Sequence, residues 1–205
     1  MIDGFAVDAD EGQLVLRVDD TGAQLAEVAS VQPVAGVDPG TRFARVTTGP
    51  VVGRVSGPTL LDRARVLAAA EQLGIIEAVR DMSAAYATTR VQFGKPIGTF
   101  QAVKHRCADM AVAAYSTIGQ VFQAALMVQA GAPDAAFHAA AAFVIATEGA
   151  KTSTADNIQN HGAIGFTWEH SAHLFLKRSL LLERMWGGQR AAYQTVLRLP
   201  RHDFA

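Results

Sequence analysis

Apolar positions in the first 56 residues come in short, strand-like runs. Leu14-Val15-Leu16-Arg17-Val18 closes on the turn Asp19-Asp20-Thr21-Gly22. Further β-prone pieces cover 27–34, 43–48 and 51–55, separated by Asp38-Pro39-Gly40 and Gly49-Pro50. These strands are too few and short for a closed barrel or sandwich, and their edges need covering. From Ser56-Gly57-Pro58 the period changes to steps of three and four residues through Leu60, Leu61, Ala64, Leu67, Leu73, Ile76, Val79, Ala85 and Tyr86. This predicts a first helix, capped by Ser56 or Gly57 with Pro58 in its first turn. A second helix is predicted from about 99 to 130, stopped by Gly131-Ala132-Pro133, and a third from about 134 to 160, ending at His161-Gly162-Ala163-Ile164-Gly165. A fourth, capped by Thr167, carries Leu174, Phe175, Leu180, Leu181 and Met185, breaks at Gly187-Gly188 and resumes over 189–199. The fold class is therefore mainly α. A partial β-domain over 1–56 precedes an antiparallel four-helix bundle over 57–205. The Ala-rich faces allow close helix approach, and the surplus apolar surface predicts burial against another subunit.

The chain has 205 residues, 50% hydrophobic and 18% charged, which excludes a disordered protein. Lys+Arg 18 against Asp+Glu 19 leaves a net charge of −1, so electrostatic attraction to nucleic acid or anionic lipid is not the organising feature. Cys107 is the single cysteine and forms no intrachain disulfide. No uninterrupted apolar run reaches the roughly 18 residues of a membrane span. The N-terminus shows no basic stretch leading into an apolar one. The expectation is a cytoplasmic protein without nucleic-acid or membrane partners.

Three segments carry candidate chemistry. In the stretch Arg90-Val91-Gln92-Phe93-Gly94-Lys95-Pro96-Ile97-Gly98-Thr99-Phe100-Gln101, an Arg, two Gln and two Phe surround a tight turn before a helix N-terminus. Arg clamps phosphate or carboxylate, Gln hydrogen-bonds, Phe offers an apolar face and helix-end N–H groups favour anions. Composition alone is also met by a plain helix-to-helix turn. Gln159-Asn160-His161-Gly162-Ala163-Ile164-Gly165-Phe166-Thr167 brings glycines before a helix, where a ligand can approach the backbone, or where they simply end the preceding helix. No strand precedes it, so it is not a dinucleotide-fold phosphate loop. His161, Glu169, His170 and His173 form a cluster, with Glu169 and His173 four residues apart on one predicted helix face. A metal would need three or four convergent ligands with supporting hydrogen bonds, and hydrogen-bonding histidines account for the pattern without one. No metal site is assigned. Cys107, on an apolar helix, reads as buried filler.

These segments, in this order, resemble the C-terminal half of the acyl-CoA dehydrogenase family. The run from Tyr86 through Arg90, Gln92, Phe93, Gly94, Ile97, Phe100 and Gln101 to Ala108-Asp109-Met110 is similar to the family's Tyr…Arg-x-x-Phe-Gly-x-x-Ile-x-x-Phe-Gln…Ala-Asp-Met signature. Gln159-x-x-Gly162-Ala163-x-Gly165-Phe166 resembles its Gln-x-x-Gly-Gly-x-Gly-aromatic motif, with Ala163 in place of the middle Gly. Asp38-Pro39-Gly40-Thr41-Arg42 resembles the Asp-x-Thr-Arg stretch of its middle β-domain, one residue longer.

The resemblance implies oxidation of an acyl-CoA across Cα–Cβ with FAD lying at a subunit interface. It implies that Arg90 contacts the pyrophosphate region of a neighbour's FAD. Gln92, Phe93 and Gln101 then line the adenosine side, with Gln159, Gly162 and Ala163 adding contacts. The family's N-terminal helical domain and the first part of its β-domain have no counterpart in these 205 residues, so the flavin-ring and acyl contacts are expected from elsewhere. Most members carry the α-proton-abstracting Glu after the last signature helix, and counting from Gly165-Phe166 places it at Trp186. Others carry it on the first bundle helix, and counting back from Arg90 places it at Ala64. Neither side chain accepts a proton. Glu71 lies two turns from Ala64 on about the same face and is a remote candidate. The chain is similar to the non-catalytic subunit of actinobacterial heteromeric acyl-CoA dehydrogenases of steroid side-chain degradation. A larger catalytic partner in an α2β2 assembly is expected to supply the base and the acyl-CoA site. A truncated homotetrameric acyl-CoA dehydrogenase and a flavin-free scaffold subunit are the alternatives.

Overall fold

A computed structural model of the chain describes residues 4–9 and 13–198. Four strands, β1 (Phe5–Val7), β2 (Leu14–Asp19), β3 (Gly22–Val34) and β4 (Phe43–Ser56), form an antiparallel sheet in the order β1-β4-β3-β2. The predicted turn closes the β2–β3 hairpin, with Asp19 opposite Gly22 and the Thr21 N–H donating to the Asp19 carboxylate at 2.9 Å. Two expectations fail here. β1 was not anticipated, because three residues are too few to show an alternation. Gly49-Pro50 does not separate two strands but sits within β4. Ala26 pairs with Val51 and Val28 with Thr48, so Gly49 and Pro50 together oppose Glu27 as a bulge. A bulge is where a strand tolerates a residue without an N–H. Ala6, Val15, Ala26, Ala44 and Val46 form a small apolar cluster on the sheet.

The helices are α1 (Thr59–Thr89), α2 (Gln101–Ala130), α3 (Ala135–His161), α4 (Ala172–Arg184) and α5 (Gly188–Arg198). Between α1 and α2 lies a miniature hairpin, β5 (Val91–Gln92) and β6 (Lys95–Pro96), followed by a 3-10 turn over Ile97–Thr99. Hydrogen-bonded pairs give the helix directions. Gln72 meets Thr147 and Ser83 meets Asn157, so α1 and α3 run parallel. Cys107 meets Asn160 while Gln120 meets His138, so α2 runs against α3. Lys151 pairs with Glu183 of α4 and Glu148 meets Gln189 of α5, which makes α4 and α5 together the descending fourth helix, broken in the middle. Ile76, Val79, Ala114, Ala140, Phe143 and Leu182 close the core between them.

α2 ends in a Schellman arrangement, with Gly131 left-handed and the Ala132 N–H donating to the Met127 carbonyl at 3.0 Å. The fourth helix begins later than expected. Thr167 is not its cap but donates its hydroxyl to the Ile164 carbonyl, ending a 3-10 turn over Gly162–Phe166, and α4 starts at Ala172. Glu169 therefore lies before the helix, and its expected i, i+4 relation to His173 on one helix face does not exist. Pro58 occupies the position before α1, and no side chain caps that helix. Residue 199, the expected end of the last helix, lies outside the described residues.

α2 is buried only along Met110, Ala114, Thr117, Val121 and Ala124. Its opposite side exposes Val112, Tyr115, Phe122 and Leu126, at 67, 85, 62 and 58%. By length and hydropathy alone the helix could cross a membrane. Its apolar character is thus divided between a face that joins the bundle and a row left open.

Candidate functional site

The motif residues gather at one end of the bundle. α1 ends at Arg90, whose N–H closes the last turn on the Tyr86 carbonyl at 2.9 Å. The chain then makes a two-residue turn at Phe93-Gly94, with Val91 opposite Pro96 and Gln92 opposite Lys95. Both turn residues have positive φ, +53° and +77°, the geometry of a type I′ hairpin. Phe93 is an unusual occupant. An L-residue with a bulky ring is strained at that φ, yet its ring is 90% exposed, edge-on to Phe100 at 6.0 Å. α2 begins without a side-chain cap, and the Val103 and Lys104 N–H groups donate to the Phe100 carbonyl at 3.1 and 3.0 Å.

The C-terminal end of α3 reaches the same place. Asn160 donates to Cys107 Sγ at 3.7 Å, and Arg106 pairs with Asp156 at 3.3 Å, joining the start of α2 to the end of α3. Cys107 is half-buried and hydrogen-bonded rather than buried filler, and burial pushes its thiol up in pKa. Gly162 ends α3 at φ +66°, ψ −145°, a combination open essentially to glycine alone. Ala163 follows it, exposed. The arrangement therefore places the Arg90–Gln101 and Gln159–Ala163 segments at the same end of the bundle, with Arg90, Gln92, Phe93, Gln101, Gln159, Gly162 and Ala163 all exposed.

The chemistry of that edge fits a polyanion. The side chains of Arg90, Gln101 and Gln159 have no hydrogen-bonding or ionic partner among the described residues, and Gln92 donates only to its neighbour's carbonyl. Between Asp81 and Asp109 there is no carboxylate, while Arg90, Lys95, Lys104 and Arg106 fall in that interval. The histidines do not converge on a point where a metal could sit. Tyr86 and His161 are stacked, His170 lies tilted against His161, and His173 meets the Trp168 ring edge-on.

A second region lies where the sheet meets the bundle. Ala64 and Trp186 line a cavity of about 500 Å³ there, together with Leu60, Leu67, Leu181 and Met185. Trp186 itself has φ +55° in the bend between α4 and α5. The carboxylates in this lining are Asp8 and Glu71, and both are engaged by arginines. Asp8 meets Arg42 at 3.4 Å, and Glu71 accepts from Arg178 at 3.0 Å. None of the seven edge residues lines this cavity.

Arg178 is the residue that motif reading missed. From α4 it also donates to Asp38 at 2.5 Å, latching the β3–β4 loop to the bundle. Asp38 is buried, which by itself would raise its pKa. Hydrogen bonds from Thr41, the Gly40 N–H and Arg178 outweigh this and hold the carboxyl below its ordinary value. The Asp38–Arg42 stretch thus acts as a joint between sheet and helices. No local spacing signals a pair so far apart along the chain.

Residues 55–195 match the family described as acyl-CoA dehydrogenase, C-terminal domain. The acyl-CoA dehydrogenase IpdE2 of Mycobacterium tuberculosis is 39% identical over 177 residues, covering 85% of this chain and 53% of that protein. The acyl-CoA dehydrogenase FadE34 of the same organism is 40% identical over 162 residues, covering 77% of this chain and 23% of its own length. The chain thus spans about half the length of IpdE2. Among solved structures, a variant of the steroid ACAD Tcur3481-Tcur3483 superimposes with a TM-score of 0.77 at 28% identity, covering 85% of this chain and 50% of that one. One chain of the ChsE4-ChsE5 complex of Mycobacterium tuberculosis superimposes with a TM-score of 0.76 at 28% identity, covering 91% of this chain and 56% of that one. Members of the family are FAD-dependent oxidoreductases. With the signature segments at one end of a four-helix bundle behind an antiparallel sheet, this chain belongs to the acyl-CoA dehydrogenase family.

Proposed function

We propose that this chain is the non-catalytic, FAD-site-completing subunit of a heteromeric, α2β2 acyl-CoA dehydrogenase that desaturates an acyl-CoA between Cα and Cβ. A larger partner supplies the flavin-ring pocket, the base and most of the acyl-CoA site. The substrate class is a steroid side-chain CoA thioester, in keeping with the steroid ACAD and the ChsE4-ChsE5 complex among its structural relatives. In this reading 1–56 is the remnant of the family's middle β-domain and 57–205 its helical domain.

One observation carries the reading. Ala64 and Trp186, the positions that counting from the motifs assigns to the family's proton-abstracting Glu, both line a single cavity whose carboxylates are tied to arginines. Nothing there is poised to take the α-proton. The opposite end keeps an open set of donors, with its Asp156 carboxylate engaged by Arg106. Arg90 is suited to the pyrophosphate by a charge-assisted hydrogen bond, Gln101 and Gln159 to polar groups of the adenosine, and the bare Gly162-Ala163 backbone to close approach. FAD held at this edge would supply the acceptor for the hydride that leaves Cβ. The exposed row on α2, from Val112 to Leu126, is a fitting face for the partner.

The test is co-purification of the full chain with a catalytic acyl-CoA dehydrogenase subunit, followed by subunit mass and flavin count. One flavin per unlike pair is expected, and Arg90→Ala should weaken its retention by about tenfold or more. Two flavins per pair, or acyl-CoA oxidation by this chain without the partner, would overturn the proposal.

A further inference from the structure

Three rings from three separate parts of the chain form one stack at the open edge. Tyr86, on the last turn of α1, lies 4.3 Å from His161 at an interplanar angle of 24°. His161, the last residue of α3, lies 4.4 Å from the ring of His170, tilted at 40°, and His170 sits in the connection leading to α4. The central ring is fixed on every side. His161 is buried, and its Nδ1–H donates to the Asn157 carbonyl at 2.8 Å, leaving Nε2 unprotonated. His170 is oriented by its own Nδ1, which accepts the Ala172 N–H at 3.1 Å. The glycine turn folds back over the same place. A Cβ on Gly165 would stand 2.8 Å from the Ile158 carbonyl oxygen and 3.1 Å from the His161 Cβ.

The stack joins the two halves of the motif by short paths. Tyr86 holds the Arg90 N–H through its carbonyl, and His161 directly precedes Gly162. The Arg90 turn and the Gly162-Ala163 turn share no hydrogen bond of their own among the described residues. Their relative placement passes through the Tyr86–His161 contact, beside the polar links of Ser83 to Asn157 at 2.8 Å and to Asn160 at 3.4 Å about one turn further in. We infer that the Tyr86–His161–His170 stack is a positioning device that sets the separation between the Arg90 guanidinium and the Gly162-Ala163 backbone, and so shapes the edge for the pyrophosphate of FAD. The inference rests on the reading of that edge as a cofactor surface. These three are positioning residues, not catalytic ones. A ligand spanning two turns gains from both only if they are already spaced for it. Burial, with His170 adjacent, holds the His161 imidazole below its ordinary pKa despite the bond to Asn157, which keeps the central ring neutral near pH 7.

The experiment is a double-mutant cycle on the flavin-loaded complex, reading FAD affinity and melting temperature for Arg90→Ala, His161→Leu and the pair, with His161→Phe as the ring-preserving variant. Arg90→Ala is expected to weaken FAD about tenfold or more. His161→Leu should weaken it about fivefold, His161→Phe should restore most of that loss, and the pair should be no weaker than Arg90→Ala alone within about twofold. If His161→Leu does not give a folded complex, Tyr86→Leu enters the cycle in its place. Losses that multiply in the pair, or a ring-preserving variant as weak as His161→Leu, overturn the positioning role while leaving the cofactor edge standing. An Arg90→Ala complex with unchanged FAD affinity overturns the cofactor edge, and the positioning role falls with it.

Discussion

Ala64 of α1 and Trp186, in the bend between α4 and α5, line the same cavity although they lie far apart in the chain. Each was located by counting from a different motif, and the fold brings both counts to one place. Where the family needs a carboxylate, this cavity has a methyl group from one side and an indole from the other. Its own acids, Asp8 and Glu71, face arginines. On the proposed reading, the proton-abstracting step falls to another chain.

Phe93 is held at φ +53° in the β5–β6 turn, where an L-residue costs about 1–2 kcal/mol. Asn tolerates that region far better. Phe93→Asn should therefore stabilise the chain by about 1 kcal/mol, a rise of roughly 2–4 °C in melting temperature. The same change removes an exposed apolar face from the cofactor edge, so FAD retention by the complex should fall. A variant that is no more stable and binds FAD unchanged would show that neither the strain nor the ring matters.

The Asp38–Arg178 latch has a pH signature. Asp38 titrates below its ordinary value in the folded chain, so its contribution is fully present above the unfolded value near 3.9 and is lost as pH falls through the lowered folded value. Asp38→Asn should cost about 2 kcal/mol at pH 7. The gap in melting temperature between wild type and variant should close below about pH 4. Thermal melts from pH 7 to pH 3 check this, and a gap of constant size across that range would contradict it.

The row on α2 is expected to bury against the partner. Phe122 is 62% exposed, so Phe122→Glu should leave the helical content and melting temperature of the chain itself nearly unchanged. An aromatic anchor at the centre of an interface is worth about 2 kcal/mol or more, so association should weaken about thirtyfold. Sedimentation of the complex at several concentrations measures this. An unaltered association constant would move the interface off α2.

The helical half was legible because its signals are local. Apolar steps of three and four marked α1 to α3, and glycines at 131 and 162 marked two of their ends within a residue or two. The start of α4 was misplaced because Thr167 looks like a cap, whereas its hydroxyl closes a 3-10 turn instead. Gly49-Pro50 looked like a strand break because its partner Glu27, which makes the pair a bulge, lies on another strand. At the site, motif spacing pointed to the edge residues, whose convergence depends on helix lengths. The latch from Arg178 to Asp38 and the ring stack were not legible, since each depends on residues brought together from distant parts of the chain.

If this chain supplies no base, Glu71 is the carboxylate that must prove dispensable. It lines the cavity with Ala64 and Trp186, is 47% exposed at its side chain, and is held by Arg178. The decisive measurement is kcat of the flavin-loaded complex carrying Glu71→Gln, which keeps a hydrogen-bond acceptor for Arg178 but cannot take the α-proton. The account predicts turnover within about twofold of wild type, since removing a true general base costs roughly 10²–10⁴-fold. A loss of that size, with flavin content and melting temperature unchanged, would place the base in this chain and contradict the account.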